Sequence, residues 1–223
     1  MDTKPGDIVL WSDLFLVVVN KPSGLLTLPD GYDPALPYIS QLLEPEFGRM
    51  WIVHRLDKDT SGLLVLARTA EAHRFLNTAF ETRQVIKVYH ALVAGCPEWD
   101  ERRVGLPLRV NGDRQHRTVV DARKGKPAIT NLRVLERFSQ WALIEASPET
   151  GRTHQIRAHL AVAGFPILGD ALYGRDEGQF IQRVALHARS LAFPHPVTGE
   201  VISFQAPYPE DFIRVLELLR KQI

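Results

Sequence analysis

The sequence predicts an α+β fold, a mixed and mostly antiparallel sheet flanked by helices, on three observations. Short β-branched runs recur along the chain with few helical stretches between them. An Asn111-Gly112 pair gives a strong hairpin signal. The 223 residues, 45% hydrophobic and 24% charged, are enough to bury a sizeable core and close to the average for soluble domains. No repeat, low-complexity segment or interdomain linker interrupts the chain, so one main globular unit over residues 1–223 is expected.

Ile8 to Trp11 and Phe15 to Asn20 read as two short strands, the second stopped by Lys21-Pro22-Ser23-Gly24. A turn-rich stretch with Pro29-Asp30-Gly31 leads to a short helix from Leu36 to Leu43. Leu63 to Ala67, a continuous apolar run behind Gly62, fits a buried strand. Thr69 then caps a helix whose Ala72, Phe75, Leu76, Ala79 and Phe80 form one apolar face. Val85 to Val93, Ala128 to Leu135 and Trp141 to Ala146 read as further strands. Thr153 opens a helix to about Ala163, closed by Gly164 with Pro166 beyond. Ala185 to Phe193 and Val201 to Phe204 make the last strands. Phe212, Val215, Leu216 and Leu219 give a terminal helix its apolar face.

The longest apolar runs, such as Leu14 to Val19, fall far short of the roughly 20 residues a bilayer demands. The N-terminal MDTKPGDIVLWSD has no uninterrupted apolar core, so it is not read as a signal peptide. A single Cys96 excludes an internal disulfide and fits a reducing compartment, so a cytoplasmic protein is expected. The net charge is only +1, but its distribution is uneven. Residues 102–126 hold eight Lys or Arg against Asp113 and Asp121, a local +6. Such a stretch, a basic hairpin or insertion within the domain, reads as a polyanion-docking surface, with a solvated hairpin as the plainer alternative.

HRLDKDTSG, His54 to Gly62, is the segment with most chemical content. As a calcium loop starting at Asp57 it fails, because the twelfth position, where a bidentate carboxylate is needed, is Arg68. As a kinase catalytic loop it fails because Leu56 separates His-Arg from Asp and no Gly-rich phosphate loop accompanies it. A phosphoaspartyl phosphatase would carry its first Asp at the end of an apolar strand, which His54 and Arg55 interrupt. His154 and His159 are five apart, on different helix faces, and there is no HExxH or cysteine pair, so no metal is expected. What survives is one aspartate in a Gly/Ser/Thr-flanked loop, Asp57, with Arg55 two residues before it. A loop salt bridge or helix cap is the bland alternative.

HRLDKDTSG resembles the central motif of the RluA family of pseudouridine synthases, and other segments resemble that family's signatures in the expected order. These are VVVNKPSGLLT (17–27), KVYHALVAG (87–95), TGRTHQIRAHL (150–160), GFPILGDALYG (164–174) and LHARSLAFPHP (186–196). The resemblance extends from about residue 8 to 212 and implies a pseudouridine-synthase-like sheet. It also implies isomerisation of uridine in RNA: N1–C1′ breaks, uracil rotates in place, and C5 bonds to C1′.

On that resemblance Asp57 is the catalytic aspartate, acting on the ribose as nucleophile or as base, and Arg157 is its implied ion-pair partner. Breaking such a buried pair costs about 3 kcal/mol or more. Tyr89 is implied to stack on uracil and to assist loss of the C5 proton. Ile156 is implied as an apolar pocket wall, with ordinary core packing as its alternative. The target uridine must be flipped out at a cost of a few kcal/mol, and Arg55 matches the position that fills the vacated space. Arg109, Arg114 and Arg117 are the candidate RNA contacts of the basic stretch.

Longer family members carry an N-terminal S4 RNA-binding module, which is expected to be absent here. The isomerisation is redox-neutral, so no cofactor is implied. Ribosomal RNA, transfer RNA or both are the implied partners of a monomer with no obligatory protein partner. Two rivals make different predictions. A catalytically silent RNA-binding domain of the same fold would not need Asp57, Tyr89 and Arg157, and a hydrolase using Asp57 with Asp59 would release a fragment.

Overall fold

A computed structural model describes residues 5–174 and 180–221, so the first four residues of the acidic N-terminal segment lie outside it. In chain order the elements begin α1 (Pro5–Ile8), β1 (Val9–Ser12), β2 (Leu16–Lys21), α2 (Ile39–Phe47), β3 (Trp51–Ile52), β4 (Ser61–Ala67), α3 (Ala70–Glu81) and β5 (Ile86–Ala94). They continue β6 (Glu101–Val104), β7 (Leu108–Arg109), β8 (Val119–Val120), β9 (Thr130–Arg137), β10 (Trp141–Pro148) and α4 (Gln155–Val162). The last are β11 (Leu186–Pro194), β12 (Val201–Gln205) and α5 (Glu210–Arg220). Two compact units divide the chain, Met1–Lys87 with Ala188–Pro207, and Val88–His187 with Tyr208–Ile223.

In the first unit the strand order is β1-β2-β4-β11, with β3 also on β4 and β12 on β11. The β1–β2, β2–β4, β3–β4 and β11–β12 pairs are antiparallel. Every residue of β4 is buried, as its unbroken apolar run requires. α3 covers it with Ala72, Leu76 and Ala79, which share a core with Leu16, Val18, Leu63 and Val65. Thr69 caps that helix as expected, its hydroxyl accepting the Ala72 N–H at 3.1 Å. Phe75 departs from the expected face: it is 36% exposed, because the smaller Ala72, Leu76 and Ala79 form the buried line. Gly62 has φ +111, and a Cβ there would lie 2.3 Å from the Ala188 carbonyl oxygen, so this close approach to β11 admits only glycine.

In the second unit the order is β5-β10-β9-β6, and all three pairs are antiparallel. α4 and α5 bury Ile156, Leu160, Phe212, Val215, Leu216 and Leu219 in one core with residues such as Leu92 and Ile144. β7 and β8 form a separate antiparallel ribbon. The mixed, mostly antiparallel α+β class expected from the strand-rich sequence is therefore the one observed. No helix among the described residues is long and apolar enough to cross a membrane.

Element boundaries shift where local chemistry overrides pattern. The helix expected from Leu36 starts at Ile39, since Pro37 biases the preceding residue toward extended backbone. It runs on to Gly48, which has φ +71. β3 and β6 are unannounced in the sequence, the one too short and the other too polar to show a period. The helix expected to open at Thr153 opens at Gln155, after His154 in the left-handed region. The Gln155 amide supplies the start signal instead: its oxygen accepts from the Thr150 hydroxyl and Arg152 N–H, and its nitrogen donates to the Ile129 carbonyl.

Two substitutions test this packing by urea unfolding. Thr69→Ala should cost about 1 kcal/mol and Thr69→Ser close to nothing. Gly62→Ala should cost well over about 1 kcal/mol, because it meets both an unfavourable φ and a backbone oxygen. Equal, small losses at both sites would contradict the assignment.

Candidate active site

The β3–β4 ladder ends at the Ile52–Leu66 pair. The next residue along β4, Val65, donates its N–H to Nε2 of His54 at 3.1 Å. An imidazole thus replaces a strand carbonyl, ends the ladder, and lets the chain leave β4 with its backbone group satisfied. The ring stacks on Phe80, centroids 4.7 Å apart. Burial of the ring, and then the Lys87 charge, push His54 from its ordinary 6.5 down to about 3, so it stays a neutral acceptor near pH 7. Burial also lowers Lys87.

Beyond His54 the loop is gripped through its backbone by the KPSGLLT segment. Leu56 donates its N–H to Thr27 Oγ1 at 3.2 Å, and its carbonyl accepts from the same hydroxyl at 2.9 Å. The Lys58 carbonyl accepts the Gly24 N–H at 2.9 Å and the Lys21 ammonium at 3.0 Å. The Asp59 carbonyl accepts the Ser23 hydroxyl, and Thr60 N–H closes a turn onto the Asp57 carbonyl. Lys21 is wholly buried and also donates to the Pro22 and Leu25 carbonyls at 2.9 and 2.8 Å. Three carbonyls replace the water its ammonium would otherwise hold. Asp57 is half-buried on this held turn and Arg55 is exposed.

The remaining candidates belong to the second unit. Arg157, buried on α4, donates Nε and Nη2 to the two carboxylate oxygens of Asp170 at 2.7 and 2.8 Å. Asp170 Oδ1 also accepts the N–H groups of Leu172 and Tyr173, both at 3.1 Å. The guanidinium carbon lies 5.0 Å from the Tyr173 ring centroid. This fork fixes the plane of Arg157. Tyr89 is half-buried on β5, opposite Ala146, and packs against the unit's core. Ile156 is a buried member of the same core.

Sequence reading passed over His54, Lys21 and Asp170. All three lie inside motifs already singled out, and an acid within the apolar GFPILGDALYG run was the available signal for Asp170.

The basic stretch is not one hairpin. Arg102 and Arg103 sit on β6, paired with β9, and only β7 and β8 form the ribbon. Asn111 has the positive φ expected of it, 51°. The connection nevertheless spans residues 110–118, since Arg109–Val119 is the last pair. Asp113 organises it by accepting the Gln115 and Arg117 N–H groups. Arg109 pairs with Asp121 at 2.7 Å and donates to the Gly112 carbonyl, while Arg117 pairs with Asp113 at 2.7 Å. These two arginines brace the ribbon, whereas Arg114 is exposed.

A family model described as RNA pseudouridylate synthase matches residues 15–162. The dual-specificity RNA pseudouridine synthase RluA of Pasteurella multocida is 41% identical over 207 residues, spanning 90% of this chain and 92% of that protein. The ribosomal large subunit pseudouridine synthase D of Pseudomonas aeruginosa is 38% identical, spanning 96% of this chain and 72% of its relative. Among solved structures, human RNA pseudouridylate synthase domain containing 4 superposes with a TM-score of 0.80 at 28% identity, covering 96% of this chain and 94% of that one.

The depressed His54 pKa has a measurable consequence. The unfolded chain binds this proton below about 6.5 and the folded chain only near 3. The stability it represents is therefore complete above 6.5 and declines as pH falls toward 3, by at most about 1.4 kcal/mol per pH unit. Urea unfolding between pH 6 and 4 should show a shallower decline for His54→Gln than for wild type. Parallel curves would contradict the assignment.

Proposed function

We propose, from the premise that the chain belongs to the RluA family of RNA pseudouridine synthases, that Asp57 is the carboxylate acting on the ribose of a flipped-out uridine. The chain is an isomerase acting on RNA. The finer reading takes large-subunit ribosomal RNA as the first substrate and transfer RNA as a second, in the cytoplasm. A relative named for the ribosomal large subunit supports the first substrate, and one named for dual specificity supports there being a second without naming it.

The observation that carries the role of Asp57 is the clamp on its loop. Leu56, Lys58 and Asp59, the residues around it, all have backbone groups bound by the 21–27 segment. A carboxylate on so rigid a turn meets the positional demand of a group that must reach C1′ or a ribose proton in one geometry. Exchange of the N1–C1′ bond for C5–C1′ then needs only rotation of uracil, loss of the C5 proton and protonation of N1.

In this reading Arg157 keeps the ion-pair role that the family resemblance implies for it, and the Asp170 fork fixes the plane of its guanidinium. Tyr89 stacks on the freed uracil and assists C5 deprotonation, and Ile156 supplies apolar wall. Arg55, exposed and two residues ahead of Asp57, enters the space the uridine leaves; its planar cation suits both stacking and phosphate contact. Arg114 offers the RNA its exposed charge, while Arg109 and Arg117 serve it by holding the ribbon's shape.

Nucleoside analysis of ribosomal and transfer RNA incubated with the protein tests this. Wild type should form pseudouridine in at least one pool, and Asp57→Asn should lose at least about a hundredfold in rate while retaining RNA binding. Undiminished product with Asp57→Asn would overturn the assignment of the carboxylate.

A further inference from the structure

We propose that the turn Ala122–Lys126 is a preformed cationic anchor for the sugar–phosphate backbone of the RNA, which deepens the reading of the chain as an enzyme on folded RNA. The bracing of Arg109 by Asp121 and of Arg117 by Asp113 leaves a distinct set of cations outward. Arg123, Lys124 and Lys126 are exposed, and their side chains make no ion pair among the described residues. They fall within four positions of one turn.

That turn is built rather than merely solvated. Asp121 Oδ1 accepts the N–H groups of both Arg123 and Lys124 at 3.0 Å, and its carbonyl accepts the Gly125 N–H at 2.8 Å. Lys126 and Leu108 exchange both backbone hydrogen bonds, at 2.8 and 2.9 Å. A Cβ on Gly125 would stand 2.4 Å from the Asp121 carbonyl oxygen and 2.8 Å from the Pro107 carbonyl carbon, so the turn closes against neighbouring backbone too tightly for any side chain there. Arg109, at 2.7 Å from Asp121 Oδ2, offsets the only acid of the turn. The arrangement fixes the backbone from which three uncompensated cations project, where a flexible loop would have to lose backbone entropy as well on ordering them.

The ribbon bearing this turn is fastened to the structure that holds Arg157. Thr118 N–H donates to the Tyr173 hydroxyl at 2.8 Å, and Arg117 donates to the Leu172 carbonyl. Leu108 and Ala128 pack with Ala158 of α4. Phosphates held at the turn would therefore keep a fixed offset from the helix that carries Arg157. Closely set cations without aromatic neighbours in the turn fit a backbone contact that is insensitive to sequence.

The test is equilibrium binding of a large-subunit ribosomal RNA transcript over about 50 to 300 mM potassium chloride, with pseudouridine measured in the same samples. The proteins are wild type, the triple variant Arg123→Gln/Lys124→Gln/Lys126→Gln, and a control removing three cations elsewhere, Arg74→Gln/Arg214→Gln/Lys221→Gln. Gly125→Ala keeps every charge but obstructs the turn. The two triple variants are checked for an unchanged melting temperature, and Gly125→Ala for a cooperative unfolding transition well above the assay temperature.

The turn triple should bind at least about tenfold more weakly near 100 mM salt, with a log–log salt slope smaller by about 2, while the control stays near wild type. Gly125→Ala should weaken binding despite its charge. A wild-type slope in the turn triple, or an equal loss in the control, would overturn the proposal whatever the activity. Wild type that binds with the full slope but forms no pseudouridine would leave the anchor standing and count against the proposed function.

Discussion

The buried ammonium of Lys21 is the interaction on which the Asp57 loop depends. It sits at the end of β2, fully removed from water, and draws the Pro22, Leu25 and Lys58 carbonyls onto one cation. Two chain segments 37 residues apart are thereby joined through a charge that cannot be moved without leaving those carbonyls short of a donor. The Thr27 hydroxyl and the Gly24 N–H repeat the same connection on either side. A strand terminator in the sequence is, in the fold, a fastening for a loop.

The two groups of candidate residues are held by different physics. Asp57 is carried on irregular backbone, which must be satisfied atom by atom, and the 21–27 segment does that. Arg157 projects from a regular helix whose backbone needs no such help, so its support acts on the side chain, through the bidentate Asp170. Loss of one hydroxyl would loosen the loop around Asp57, whereas loss of the Asp170 carboxylate would leave a buried guanidinium without a counter-charge that it now has.

Much of the fold was legible because burial leaves a period or a run. β2, β4, β10 and β12 coincide closely with β-branched or apolar runs, and Phe212, Val215, Leu216 and Leu219 are the buried residues of α5 as its spacing predicts. β6 was not legible, since Glu101-Arg102-Arg103 carries no apolar alternation and pairs only because β9 presents a free edge. The start of α4 was misplaced because Gln155, a residue with no strong capping preference, satisfies the helix start through the nearby Thr150 and the distant Ile129. At the site, the Asp57 loop and its placement before a buried strand could be read directly. The burial of Lys21, the ladder-ending bond of His54 and the Asp170 fork could not, because each depends on a partner brought near only by the tertiary fold. Charge counting along residues 102–126 likewise could not distinguish arginines braced by Asp113 and Asp121 from cations left outward.

The hold of the buried lysine on the loop is read by amide hydrogen exchange across residues 54–60 in wild type and in Lys21→Met, which keeps the stem and removes the charge. Exchange at Leu56 and Thr60 should be at least about tenfold faster in the variant, with β4 and α5 still protected, because the loop opens as a local unit. Protection of that loop at the wild-type level would contradict the claim that the buried lysine holds it.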